Sequence, residues 1–339
     1  YSRPHGHPGS PPDAGHRHHA HPPAAAGRAA ALAQVSLSPV GIGIAAALAS
    51  ATAYGINIVY ARMATQQGVS AADLVFLRVF LMLGAVAVVV TLRGRSLSVA
   101  RPARPAVIAL GIASAGVGLA YFFAVSFVPI GIAAILFYTF PLLILIASPF
   151  VEGGRFTPRR FAVFSLAFAG LAIAIGPRLG DIDIRGLALA ALASTLAAWQ
   201  FFAAARAGRS VSPPVLMFWA HVVIMPIAGI VAFALGGIGW STIAMAWFAC
   251  AITVAGYLVG FALQMVAARR APAALIGLIF CLEPVVAIVF AGVILGETLT
   301  TAQMTGSLLV LAALIASSLA ELKGEDAPSP PTQGRSDVR

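Results

Sequence analysis

Glu283 lies inside an apolar run that extends from about residue 272 to residue 294, and Pro284 follows it directly. An ionised carboxylate in hydrocarbon costs several kcal/mol unless it is paired, hydrated or protonated. Such a residue has two uses. It can fix helix packing through a Tyr, Ser or Arg partner, or it can handle a ligand by holding a substrate ammonium or exchanging a proton. Proline has no N–H, so the spacing predicts that the carbonyl of Phe280 loses its helical donor to Pro284, and that of Phe137 to Pro141. Arg78 is the single basic residue deep in an apolar run. It could pair with Glu283 or draw in a substrate carboxylate, and its shallower position favours a gate. His221 could add a second proton site, or sit as a hydrogen-bonded packing residue. Tyr54, Tyr121, Tyr138, Trp199 and Tyr257, with Phe137, Trp219 and Phe280, fall well within apolar runs. There they wall a cavity and offer hydroxyl or indole donors, or simply pack.

Other chemistries lack their parts. Lysine occurs once, at Lys323, which removes Schiff-base chemistry from the apolar region and any Walker-type phosphate loop. Cys250 and Cys281 lie in apolar runs as small hydrophobes, so no disulfide and no zinc set is expected. Six of the seven histidines (His5, His7, His16, His18, His19 and His21) crowd the first 21 residues with no flanking Cys, Asp or Glu cluster. They read as a solvated, biased tail rather than a metal site. No cofactor is expected.

The elements that must position these groups follow from composition. Of 339 residues 60% are hydrophobic and only 9% charged, with a mean hydropathy of +0.94. A soluble chain carries about a quarter of its residues as charges, so this is an all-α polytopic membrane protein. Runs long enough to cross a ~30 Å hydrocarbon layer predict ten spans, near 40–60, 73–92, 106–126, 129–150, 159–176, 186–205, 213–235, 243–266, 272–294 and 301–320. With that count, seventeen of the Arg and Lys residues outside the spans fall on the side of the termini, and only Arg62, Arg178 and Arg185 on the other. Excess positive charge marks the cytoplasmic side, so both termini are expected there, with span 1 as an uncleaved anchor. The net charge of +10 is therefore topological and calls for no nucleic acid. Residues 1–39 and 321–339, polar or Pro-, Ala- and His-rich, are expected to be disordered tails.

One gapless offset of 143 residues relates the halves 40–177 and 178–320. It sets Gly43 on Gly186, Thr52 on Thr195, Pro129 on Pro272, Phe137 on Phe280, Pro141 on Pro284 and Gly153 on Gly296. It also superimposes rare polar residues: Asn57 on Gln200, Arg78 on His221 and Tyr121 on Gln264. Five spans is an odd number, so the second half enters the membrane from the opposite side, and the fold is expected to be two inverted five-helix repeats. Two similar halves can exchange conformations around one central site, which is alternating access. Depth places Asn57, Arg78 and Tyr121 in an outer polar cluster and Gln200, His221 and Gln264 in an inner one, each expected to act as a gate.

The most specific stretch is Cys281-Leu282-Glu283-Pro284-Val285-Val286, followed by Gly296-Glu297-Thr298-Leu299-Thr300. With Tyr54-Gly55-Ile56-Asn57 and Phe76-Leu77-Arg78, it resembles the EamA-type permeases of the drug/metabolite transporter superfamily. The resemblance covers residues 40–320. It implies ten helices in two inverted repeats and a bacterial inner-membrane carrier of small molecules that exports amino acids, related metabolites or drugs without hydrolysing ATP. Phe140-Pro141 departs from the pattern by lacking the glutamate, so any carboxylate role rests on Glu283 alone. The expected partners are a small-molecule substrate and the lipid bilayer, with proton coupling through Glu283.

Three other readings compete. A membrane-embedded enzyme would need more than one mid-membrane carboxylate, and the spans contain no Gly-x-Ser-x-Gly elbow or His-x-x-x-His set. A scaffold or receptor would not need mirrored polar residues and broken helices. A channel would show a ring of charges or a carbonyl filter.

Overall fold

The computed structural model describes residues 1, 38–94, 96–153, 157–176 and 183–322. The expected N- and C-terminal tails and the histidine tract lie outside the described residues. Within 38–322 every element is helical: α1 Pro39–Gln66, α2 Ala71–Leu92, a 3-10 turn Arg101–Ala103, α3 Arg104–Ala124, α4 Ile130–Phe137, α5 Phe140–Val151 and α6 Pro158–Ile175. The second half follows with α7 Ile184–Gly208, α8 Pro213–Ala234, α9 Trp240–Met245, α10 Trp247–Ala268, α11 Ala273–Ile279, α12 Leu282–Leu295 and α13 Thr301–Leu322. Nine stretches are long and apolar enough to cross a membrane among the described residues, with α4–α5 and α11–α12 each forming one. α13 contributes a tenth apolar helix.

The helix starts are written in the sequence. Ser38, Ser70, Thr157 and Asp183 each turn a side-chain oxygen onto a free N–H of the first turn of α1, α2, α6 and α7, which satisfies a donor that has no helical partner. α1 runs past the expected end near residue 60 to Gln66, because helix propensity continues after hydropathy falls, and stops where Gly68 takes a φ of +93°. The eighth span also starts differently. Its first turn separates as the short helix α9, with Trp240 and Trp247 60% and 66% exposed on either side of the bend, as interfacial anchors should be.

The repeats interlock rather than sit side by side. α1 packs chiefly on α10, and its mirror partner α7 packs on α3. α2 packs on its own mate α8, and α6 on α13. Small residues permit these approaches: a Cβ on Gly256 would lie 2.9 Å from the carbonyl of Ala53, and one on Gly55 would lie 2.7 Å from the carbonyl of Glu283. Backbones that close can be held only where side chains are absent. The termini of the bundle share one face, called here the terminal face, since α1 starts and α13 ends there.

Candidate functional site

Both broken spans part within one residue of mirrored positions. α4 ends at Phe137 and α5 starts at Phe140, while α11 ends at Ile279 and α12 starts at Leu282. Pro141 and Pro284 stand in the first turn after each break, where a missing N–H costs nothing. The freed carbonyl expected at Phe280 is not bare. The turn tightens to a three-residue step, and the N–H of Glu283 donates to the Phe280 carbonyl at 3.1 Å.

Glu283, in the first turn of α12, is half-buried, and the Tyr138 hydroxyl at the facing break lies against its carboxylate. Tyr121 and Tyr54 stand in the electrostatic reach of the same group. Tyr54 also stands in the electrostatic reach of Arg78. It donates from its hydroxyl to Gln264 Oε1 at 3.2 Å and packs on Phe280 and Tyr257 with centroids 6.0 and 6.1 Å away. Tyr121 packs on Phe137 at 5.2 Å.

Arg78 does not pair with Glu283; no ion pair joins them among the described residues. Its guanidinium instead lies 4.4 Å over the ring of Tyr257, a cation–π contact, and its buried Nε has no hydrogen-bond acceptor. The Tyr257 hydroxyl reaches His221 Nε2 at 2.9 Å, and His221 Nδ1 lies 2.7 Å from the Met217 carbonyl. A carbonyl only accepts, so Nδ1 carries the proton and Nε2 takes the one from Tyr257. Arg78 and His221, expected at separate depths in an outer and an inner cluster, therefore meet on one ring. The reason is topological: α2 and α8 pack on each other while α10 crosses both, and Tyr257 sits at the crossing.

The remaining expectations divide. Asn57 is buried and donates from Nδ2 to the Thr253 carbonyl, tying α1 to α10 rather than joining Arg78. Gln264 serves Tyr54, not an inner cluster with His221. Gln200 is half-buried on α7. Trp199, 45% exposed, lines a cleft at the terminal face rather than the surroundings of the breaks.

A group that sequence reasoning missed closes the centre on one side. Phe140 stacks on Phe201 at 5.3 Å and 13°, and Phe201 meets Phe280 edge-on at 5.2 Å; all three are buried. The signal was available, since the same offset sets Phe140 on Glu283 and Phe201 on Ile58, so the aromatic seal has no copy in the mirror positions.

The mirror also reads the conformation. Every residue of α11 is buried, enclosed by α1, α5, α7, α10 and α13, whereas in its counterpart α4 only Ala133 is buried. α4 packs on α3, α6 and α7, and the contacts with α1 and α12 that symmetry would supply are sparse. α11, on the terminal-face side of the breaks, is thus the enclosed arm, and α4, on the opposite side, the loosely packed one.

Residues 41–176 and 184–319 each match the EamA-like transporter family. The two matches begin and end 143 residues apart. The chain is 28% identical over 243 residues to the threonine/homoserine exporter RhtA of Escherichia coli K12, covering 70% of this chain and 78% of that protein. The RhtA of Salmonella typhimurium SL1344 is 27% identical over 245 residues, covering 70% and 79%. A solved crystal structure aligns with a TM-score of 0.69 at 21% identity, covering 83% of this chain and 97% of that one, which is agreement in fold.

Proposed function

This chain belongs to the EamA-like transporter family, and from that premise we propose that it is a proton-coupled exporter of small zwitterionic amino acids that works by alternating access. The observation that carries the reading is Glu283: one half-buried carboxylate at paired helix breaks, between an enclosed arm, α11, and a loosely packed one, α4. A zwitterion fits the charges around Tyr54, with its ammonium on Glu283 and its carboxylate drawn by Arg78, whose Nε is free of acceptors. The RhtA relatives, exporters of threonine and homoserine by name, support this substrate class.

Coupling follows from electrostatics. Closing the gap over an unpaired Glu283 would enclose a bare charge at a cost of several kcal/mol. The carboxylate therefore closes only with a proton or a substrate ammonium on it. Exchange of one for the other is antiport. The excess of Arg on the terminal face supports cytoplasmic termini in an inner membrane, so the loosely packed α4 arm lies on the outer side, where the gap opens in this reading.

The test is flux from proteoliposomes loaded with radiolabelled L-threonine, with a pH gradient imposed. Protein-dependent release driven by protons moving the other way, and abolished by a protonophore, is expected. Release no faster than from empty liposomes, across a panel of neutral amino acids, would sink the proposal.

A further inference from the structure

At the terminal face a cleft of about 300 Å³ opens between three helices, away from the breaks. Its walls are Ala106 and Ala109 of α3, Val151 at the end of α5, and Phe202 and Ala203 of α7. Its polar groups are of both signs: Glu152 on one side, Arg206 and Arg209 on the other, with the exposed indole of Trp199 beside them. Both guanidinium groups reach out from exposed positions, whereas Glu152 is half-buried. Burial pushes the Glu152 carboxyl up, against the pull of a backbone N–H and of Arg209.

That N–H belongs to Ala273, the first residue of α11, which donates to Glu152 Oε2 at 3.2 Å. Glu152 thus ties the end of α5 in the first repeat to the arm of the second repeat that seals the terminal face. The offset sets Glu152 on Leu295, which cannot make the mirrored tie.

We propose that this cleft is a second binding site, where an amino-acid zwitterion docks from the terminal face before it reaches Glu283. Its carboxylate lies on Arg206 and Arg209 and its ammonium on Glu152. The charges select the ligand. A plain phosphate or carboxylate would meet Glu152 as a like charge, and a simple amine would meet two guanidinium groups. Only a molecule with an anion and an ammonium a few ångströms apart satisfies both, and the volume suits a small one. An ethanolamine lipid headgroup has the same two charges, so the test separates the two sources. Occupancy has a consequence. An ammonium is a stronger partner for Glu152 than the neutral N–H of Ala273, so docking loosens α11 and favours opening on the side where substrate waits.

This site rests on the proposed transport of zwitterions, but it can be read without transport. The full chain carrying Glu283→Gln, which disables the central site, is placed in nanodiscs of phosphatidylcholine alone and titrated with L-threonine while tryptophan fluorescence is followed. A saturable change is expected that disappears with Trp199→Phe, and whose Kd rises at least about tenfold with Arg206→Gln plus Arg209→Gln, the scale of one lost charge-assisted contact. Monodisperse variants with unchanged binding would overturn the proposal, as would a Trp199 signal that never saturates. A response that needs phosphatidylethanolamine in the disc and is insensitive to threonine would assign the cleft to lipid instead. Failure of the transport reading looks different: wild-type protein then moves no amino acid whatever the cleft binds.

Discussion

Glu283→Gln is expected to lower gradient-driven amino-acid flux by about a hundredfold, the scale of about 2–3 kcal/mol for one desolvated charge contact. The replacement keeps the shape and loses the charge. An amide cannot hold a substrate ammonium as an ion pair and cannot carry a proton across, so both halves of the exchange fail together. Folding should survive, because the Tyr138 hydroxyl that lies against this group can hydrogen-bond to an amide as well. Proteoliposome flux, with elution profile and thermal unfolding as controls, decides the matter. Flux within twofold of wild type would reduce Glu283 to a packing residue and leave the mid-membrane break without a chemical purpose.

The second large effect is on stability. α6 and α13 touch backbone to backbone, and a methyl on Gly306 would press on the Gly170 carbonyl oxygen and the Ala174 amide nitrogen. The reverse approach is as tight: a Cβ on Gly170 would lie 2.8 Å from the Gly306 carbonyl and 3.0 Å from the Val310 nitrogen. Backbone atoms cannot rotate away as a flexible side chain can, so the helices must part. Gly306→Ala should therefore cost about 3 kcal/mol or more, at or above the upper end of ordinary overpacking. Gly84→Ala is the control, since a methyl there meets no atom within 4 Å, and a helical Gly→Ala exchange should be stabilising by about 0.5–1 kcal/mol. Thermal or denaturant unfolding in micelles would compare the two. Equal stabilities would mean that the α6–α13 contact is looser than the structure places it.

Much of the architecture was legible because it depends on hydropathy and on symmetry, which both act over many residues. Runs of apolar residues located the spans, and six identities at a fixed offset located the repeat, with the breaks at Phe137–Pro141 and Phe280–Pro284. Glu283 stood out because a lone carboxylate in an apolar run is costly. Side-chain partnerships were less legible. The offset matched Arg78 to His221 but could not reveal Tyr257, whose mirror position is Ser114, although that ring joins the two. Trp199 counted as a cavity residue by depth alone, and depth does not say which way a helical side chain turns. The end of α1 was misjudged for a related reason: a helix does not stop where the hydrocarbon does. The seal of Phe140, Phe201 and Phe280 combines residues far apart in the chain, each ordinary on its own.

Alternating access around the two breaks is the central claim, and one distance measurement bears on it most directly. Spin labels at Thr65 and Ile130 would span the gap proposed between α1 and α4, and labels at Val151 and Arg270 would span the closed contact between α5 and the approach to α11; all four positions are exposed. Pulsed electron resonance on each pair, with and without saturating L-threonine across a range of pH, reads both faces of the same molecule. The account predicts reciprocal shifts, the Thr65–Ile130 distance shortening under the conditions in which Val151–Arg270 lengthens. Two distances that stay fixed under every condition, or that lengthen together as a pore would require, would contradict it.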